Sequence, residues 1–211
     1  MNEDITGYCY TDANLNPSHG YLIPALMNIL VSLNLPPKSR RVFELGCGNG
    51  SVAELLAKSG WDVTGVDLSK QGIEQANRCY PNLKIYEGSA YDDLAAKYGQ
   101  FPVVISLEVA EHVYSPRQYA ATLYSLVAPG GGIAILSTPY HGYWKNVAMA
   151  VSGKMDAHFT ALWDHGHIKF WSFKTLNALL KEVGFSDISF HRVGRFPALA
   201  KSMIAVAYKT V

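Results

Sequence analysis

The first chemical signal is the run Glu44-Leu45-Gly46-Cys47-Gly48-Asn49-Gly50. Glycine at alternate positions lets the backbone take positive φ and keeps side chains out of a ligand's way. The spacing is G-x-G-x-G, with Ser51 where a dinucleotide fingerprint would carry its last glycine. Glu44 stands just ahead of the turn. A carboxylate there repels a pyrophosphate and attracts a cation. Asp67 ends GWDVTGVD, where an acid can accept both hydroxyls of a ribose or cap the following helix. Leu68 is placed to lie against an adenine face. Gly88, Ser89 and Ala90 close another strand, where backbone groups can read an adenine edge. These positions suit a ligand that joins a positive charge to a nucleoside.

A second group is Leu107-Glu108-Val109-Ala110-Glu111-His112-Val113. Read as a helical turn, it sets Glu108, Glu111 and His112 on one face by i,i+3 and i,i+4 spacing. Two carboxylates and an imidazole can hold a divalent cation or position a proton. The segment from Pro139 to Trp171 is rich in aromatics and histidine, including Tyr140, His141, Tyr143, Trp144, His158, Phe159, Trp163, His165, His167 and Phe170. Such residues can wall an acceptor pocket and exclude water. His167, just before KFWS, is the expected proton acceptor, with His165 as the alternative. As an ordinary imidazole it would titrate near about 6.5. The spacing of the segment's histidines is too irregular for a metal site. Tyr8, Tyr10, His19 and Tyr21 are candidates to touch cofactor or acceptor from the amino-terminal side.

The elements that must position these groups alternate along the chain. Helical periodicity runs from His19 to Leu33 and stops at Pro36 and Pro37. RRVFELG reads as a strand, Ser51 to Lys58 as a helix, and WDVTGVDLS as a strand. Lys70 to Cys79 is helical, NLKIYEG a strand, Asp92 to Tyr98 a short helix. PVVISLE is a strand, Arg117 to Ala128 a helix, PGGGIAILSTP a glycine turn and strand, and Phe173 to Val183 a helix. SDISFHRVG and SMIAVAYK are separated by a short connection and predict an antiparallel pair. The pattern predicts an α/β fold with a largely parallel sheet and helices on both faces. We read residues 1–211 as one domain, with 1–37 an amino-terminal cap and 139–171 a lid over the substrate.

The totals narrow the function classes. With 211 residues the chain can bury a core without disulfides or metals. A formal net charge of +1 gives no reason to propose a nucleic-acid partner. Cys9, Cys47 and Cys79 lack metal spacing and read as reduced thiols in the cytoplasm. No run is long and apolar enough to span a membrane. Tyr143 to Val151 could lie on a membrane surface, but a lid packed on its own domain is the preferred reading.

ELGCGNG, VDLS, EGSA and PGGGIAILSTP, in this order, resemble the motifs of class I S-adenosylmethionine-dependent methyltransferases. The resemblance runs from about Arg41 to the carboxyl end. It implies a Rossmann-like sheet of seven strands, mostly parallel, with an antiparallel last strand. It also implies that S-adenosylmethionine is held by Glu44, Gly46, Gly48, Gly50, Asp67, Leu68, Ser89, Ala90 and the carbonyl of Leu107. The ligand's sulfonium and ammonium agree with the charge of Glu44. LEVAEHV resembles the E-x-x-E-H group of ubiquinone-biosynthesis O-methyltransferases, which is associated with magnesium and catalysis. That implies Glu108, Glu111 and His112 as a magnesium site, and His167, Glu111 and His112 as catalytic residues. Many class I methyltransferases share this group and need no metal. The expected reaction is methylation of a small-molecule hydroxyl. The alternatives are N-methylation of a small amine and a non-catalytic binding protein of methyltransferase type. The glycine spacing and Glu44 argue against an NAD-dependent oxidoreductase.

Overall fold

The alternation of apolar runs and amphipathic stretches becomes strands and helices in the expected order. The computed structural model describes residues 10–164 and 166–210. Its elements are α1 (His19–Ser32), β1 (Arg41–Leu45), α2 (Ser51–Lys58), β2 (Asp62–Asp67), α3 (Lys70–Cys79), β3 (Lys84–Glu87), α4 (Leu94–Tyr98), β4 (Val103–Leu107) and α5 (Pro116–Leu126). They continue with β5 (Gly132–Pro139), α6 (Tyr143–Val151), α7 (Met155–Phe159), α8 (Phe173–Glu182), β6 (Ser186–Val193) and β7 (Ser202–Lys209). Single 3₁₀ turns at Pro37–Ser39 and Pro197–Leu199 complete the chain trace.

The seven strands form one sheet in the order β3-β2-β1-β4-β5-β7-β6. Strands β1 to β5 run parallel to one another, and β7 is antiparallel to both β5 and β6. The winding direction reverses between β1 and β4. This is the switch point where a doubly wound sheet opens a crevice at its carboxyl edge.

Burial on two faces explains the nearly continuous apolar strands. Val42, Val103, Ile105 and Ile135 face Leu22 and Leu26 of α1, Leu56 of α2 and Ile73 of α3. Phe43, Leu45, Val104 and Leu136 face Tyr119 and Leu123 of α5 and Leu176 and Leu180 of α8. Tyr119 is fully buried; its hydroxyl donates to Ser106 Oγ at 2.8 Å, and Ser106 Oγ donates to the Leu45 carbonyl at 2.7 Å. This relay ties the ends of β4 and β1 together beneath the crevice.

One expected element is absent. Leu107 ends β4, and Glu108 to Val113 form bends and turns and not a helix. Glu108 takes φ 54, left-handed backbone that breaks any helical register at its first residue.

Candidate active site

The glycine loop leaves β1 at the switch point. Gly46, Gly48 and Gly50 take φ of 85, 52 and 73, conformations costly for a residue with a Cβ. Gly46 and Cys47 donate their N–H groups to the Val66 carbonyl at 2.7 and 3.1 Å. Gly48 N–H donates to Asp67 Oδ2 at 2.8 Å, and Ser69 N–H donates to Asp67 Oδ1 at 2.7 Å. Asp67 therefore ties the loop to β2. The N-cap of α3 is Ser69, whose Oγ accepts from Gly72 N–H at 3.1 Å.

The chain itself fills part of the space over the loop. A Cβ on Gly46 would collide with Val109, and one on Gly48 with the Tyr10 ring and hydroxyl. Residues 10–14 lie across the loop as a strap. Asn49 Nδ2 donates to the carbonyls of Asp12 and Asn14 at 2.9 and 3.1 Å, and the Tyr80 hydroxyl donates to the Ala13 carbonyl at 2.6 Å. Of the amino-terminal candidates, Tyr10 reaches the loop and Tyr21 reaches the Glu108 carboxyl region described below. Tyr8, Cys9 and His165 lie outside the described residues.

Glu44 is 2% exposed, and its Oε2 has no hydrogen-bond partner among the described residues. Burial, with the Asp67 charge adding to it, pushes its carboxyl well above the usual range. A buried acceptor left without a donor calls for one from outside the chain, and a cationic ligand supplies both donor and countercharge. The cradle thus fits a ligand with an ammonium or sulfonium. Around it, Leu68 is exposed and Leu107 is buried at the end of β4. Ser89 N–H donates to Asp92 Oδ2 at 2.8 Å, and Ser89 Oγ accepts from Tyr91 N–H at 3.1 Å. Ala90 packs partly buried against the core.

Glu108 stands apart from the cluster expected of it. Its N–H donates to the carbonyl and Oγ of Ser137 at 3.1 and 3.0 Å. Its Oε1 accepts from Ser137 Oγ at 2.8 Å and its Oε2 from Ser202 Oγ at 3.3 Å, and Ser202 Oγ also meets the Tyr21 hydroxyl at 3.2 Å. Burial raises the Glu108 carboxyl to about 7 against these hydroxyl bonds.

The group brought together is Glu111, His112 and His167, with ligand atoms within 4.8 Å of one another. The Glu111 carbonyl accepts from Ile168 N–H and Lys169 N–H, each at 2.9 Å, which pins the segment carrying His167 onto the turn carrying Glu111. His167 Nε2 lies 3.9 Å from Glu111 Oε1. The His112 and His167 rings are 4.8 Å apart, and Trp163 packs on both at 5.7 and 5.4 Å. Glu111 is 1% exposed, and neither carboxyl oxygen has a well-formed hydrogen bond among the described residues. Burial first, then the Glu108 charge, raise it well above the carboxylate range. Burial first, then His112 and His158, lower His167 to about 4. One carboxylate with two imidazoles is a donor set for transition metals, whereas magnesium prefers oxygen ligands. The magnesium expectation on Glu108, Glu111 and His112 therefore does not fit this geometry, and no step is derived through it.

Beside this group, the His141 ring stacks on Phe159 at 5.9 Å and meets His158 and Phe170 edge-on at 5.2 and 5.1 Å. Burial lowers His141 to about 4, with Lys145 and His158 adding to it. Sequence reasoning passed over Ser137, Ser202 and Lys145. The serines carry no motif of their own, and Lys145 was one charge in an apolar run.

Seven strands in this order, with β7 reversed and a glycine loop at the switch point, define the class I methyltransferase fold. Solved structures agree. The magnesium protoporphyrin IX methyltransferase of Synechocystis with bound SAH superposes with a TM-score of 0.64 at 22% identity, covering 90% of this chain and 82% of that one. A SAM dependent methyltransferase from Archaeoglobus fulgidus gives a TM-score of 0.63 at 16% identity, with 89% and 93% covered. The family model described as methyltransferase domain matches residues 21–189, and the chain belongs to that family. It is 32% identical to the ubiquinone biosynthesis O-methyltransferase of Cereibacter sphaeroides, over 75% of this chain and 65% of that protein. It is 34% identical to the protein of that name from Roseobacter denitrificans, over 72% and 62%. It is 28% identical to that from Burkholderia pseudomallei, over 90% and 82%. The chain thus spans just under two thirds of the first two relatives. Among the described residues no helix is long and apolar enough to cross a membrane.

Proposed function

We propose that this protein transfers a methyl group from S-adenosylmethionine to a hydroxyl oxygen of a small molecule in the cytoplasm. The observation that carries this reading is the buried Glu44 carboxyl, its Oε2 without a partner among the described residues, beside a glycine loop that Asp67 fastens. The named relatives, ubiquinone biosynthesis O-methyltransferases, support oxygen as the acceptor atom. Bound in this cradle, S-adenosylmethionine supplies a methyl group already activated on a sulfonium.

The residues then have distinct tasks. Glu44 meets positive charge, and Gly46, Gly48 and Gly50 keep the loop close. Asp67 receives ribose hydroxyls. Leu68, Ser89, Ala90 and the Leu107 carbonyl line the nucleoside and amino ends. Residues 1–37 act as a cap and 139–171 as a lid within a single working unit, excluding water from the reacting atoms. His167, held neutral by burial, takes the acceptor's hydroxyl proton. The imidazolium forms 3.9 Å from Glu111 Oε1, and its charge offsets the burial that holds this carboxyl well above the ordinary range. His112 and Trp163 pack around His167 and hold its ring.

The test is a panel of small phenols and shape-matched anilines, with S-adenosylhomocysteine detected by mass spectrometry. Transfer to phenols is expected. Transfer confined to the anilines would replace this reading with N-methylation, which needs no base at His167.

A further inference from the structure

The first turn of α6 carries a lysine in an unfavourable electrostatic place. Lys145 sits three residues past the N-cap Gly142, at the positive end of the helix dipole. It is only 9% exposed. Among the described residues no carboxylate oxygen lies within ion-pair distance of its amine. Nζ donates to the Lys201 carbonyl at 3.1 Å, a carbonyl that also accepts from Tyr140 N–H at 3.0 Å.

A second buried lysine shows what structural satisfaction looks like in this fold. Lys209 donates to the carbonyls of Tyr124 and Val127 at 3.0 and 2.9 Å, and its ammonium sits 4.3 Å from the Tyr124 ring centroid. Lys145 has half that set of carbonyls. An ammonium carries three donors, so donor capacity remains at a buried cation. Burying a charge without a paired one is costly enough that a fold keeps it for a reason.

The surroundings locate the missing partner. The Lys201 carbonyl and the Ser202–Pro139 pairing put Nζ at the carboxyl edge of the sheet, the edge of the Glu111–His167 group. Its charge is felt by His141, His158 and Glu108. Glu108 attracts it from beyond ion-pair distance while its own oxygens accept from Ser137 and Ser202. Arg195 adds positive charge nearby. His141, Phe159 and Phe170 present aromatic faces within 4.8–5.9 Å of one another beside it.

We propose that Lys145 binds a carboxylate borne by the methyl acceptor, so that this protein's acceptors are hydroxylated aromatic acids. The proposal rests on the methyl-transfer reading above and names the substrate class for it. The acid's ring lies against the His141–Phe159–Phe170 wall, and its carboxylate takes the free donors of Nζ in a charge-assisted bond. At about 8, lowered by burial and Arg195, the amine is still mostly charged at pH 7. This orientation would leave the hydroxyl end for His167.

The test uses 3,4-dihydroxybenzoate and its neutral twin 3,4-dihydroxybenzamide. Each is titrated calorimetrically into the full chain at pH 7, with and without saturating S-adenosylhomocysteine. We expect the acid to bind at least about tenfold tighter, the loss typical of a charged hydrogen bond. Lys145→Met should remove that preference, and Lys145→Arg should keep part of it. Equal binding of acid and amide, a preference that survives in Lys145→Met, or binding of neither compound overturns the proposal. If Lys145→Met does not fold, the wild-type comparison of acid with amide and the Lys145→Arg variant still decide. Binding of S-adenosylhomocysteine itself reports separately on the methyl-transfer reading.

Discussion

Replacing His167 with alanine tests the proton-transfer step most sharply. At about 4 the imidazole is neutral in all but about one molecule in a thousand at pH 7. A base this weak is fully available but has little driving force to take a phenol proton, so the expected loss is at the lower end of the usual range, about 10²-fold or roughly 3 kcal/mol of barrier. The pH profile follows from the same value. A base near about 6.5 would raise the rate about fourfold between pH 6 and 8. A base near 4 leaves the wild-type rate flat across that range, with its limb well below it. This replaces the histidine-range rise that the sequence alone suggests, and the cause is burial beside His112 and His158. The assay is single-turnover transfer to two phenols, one weakly acidic and one already ionised at pH 7. His167→Ala should be slow with the first and largely restored with the second. Equal impairment with both would refute the base role and leave His167 as a positioning residue. A fourfold rise with pH in the wild type would refute the neutral, buried imidazole.

Three further outcomes follow from the same geometry. Asp67→Ala should weaken S-adenosylmethionine binding by about 10- to 100-fold in calorimetry, because ligand bonds worth roughly 1.5–3 kcal/mol each are lost. Its melting temperature should also fall, since Gly48 and Ser69 lose their shared acceptor; unchanged affinity in a folded variant contradicts the placement. Chelator-treated protein should retain its turnover, and added magnesium should not raise it, because Glu108 is engaged by Ser137 and Ser202; magnesium-restored activity would reverse that conclusion. Glu111→Gln should raise the melting temperature while lowering turnover. Its folded pKa stands above the ordinary 4.5, so the native state holds the extra proton and stability falls as pH rises through that window. The variant's advantage over the wild type should grow as pH rises above the ordinary carboxylate range, since the contributions of His19, His141 and His167 are common to both proteins. An advantage that shrinks as pH rises contradicts the burial cost.

Much of the fold is legible in the sequence because its signals are local. Apolar strands buried on both faces, amphipathic helices and a short final connection each have one reading, and they agree. The glycine loop is equally legible, since positive φ at Gly46, Gly48 and Gly50 demands that residue. What crowds those glycines is not legible, because Val109 and Tyr10 arrive from distant segments. The E-x-x-E-H group shows the limit of spacing arguments. Helical spacing joins Glu108 to Glu111 and His112, but a left-handed Glu108 bonded to β5 and β7 breaks that face. His167 joins through two backbone bonds to the Glu111 carbonyl. Lys145 is invisible as a site residue because its burial depends on how α6 folds back onto Lys201.

The central claim is that the Glu44–Gly48–Asp67 cradle holds a cationic nucleoside. Calorimetric titration of the full chain with S-adenosylmethionine and NAD, under identical conditions, tests it most directly. Saturable binding of S-adenosylmethionine at one site, and none of NAD, is expected. Binding of NAD in preference, or of neither ligand, would contradict it.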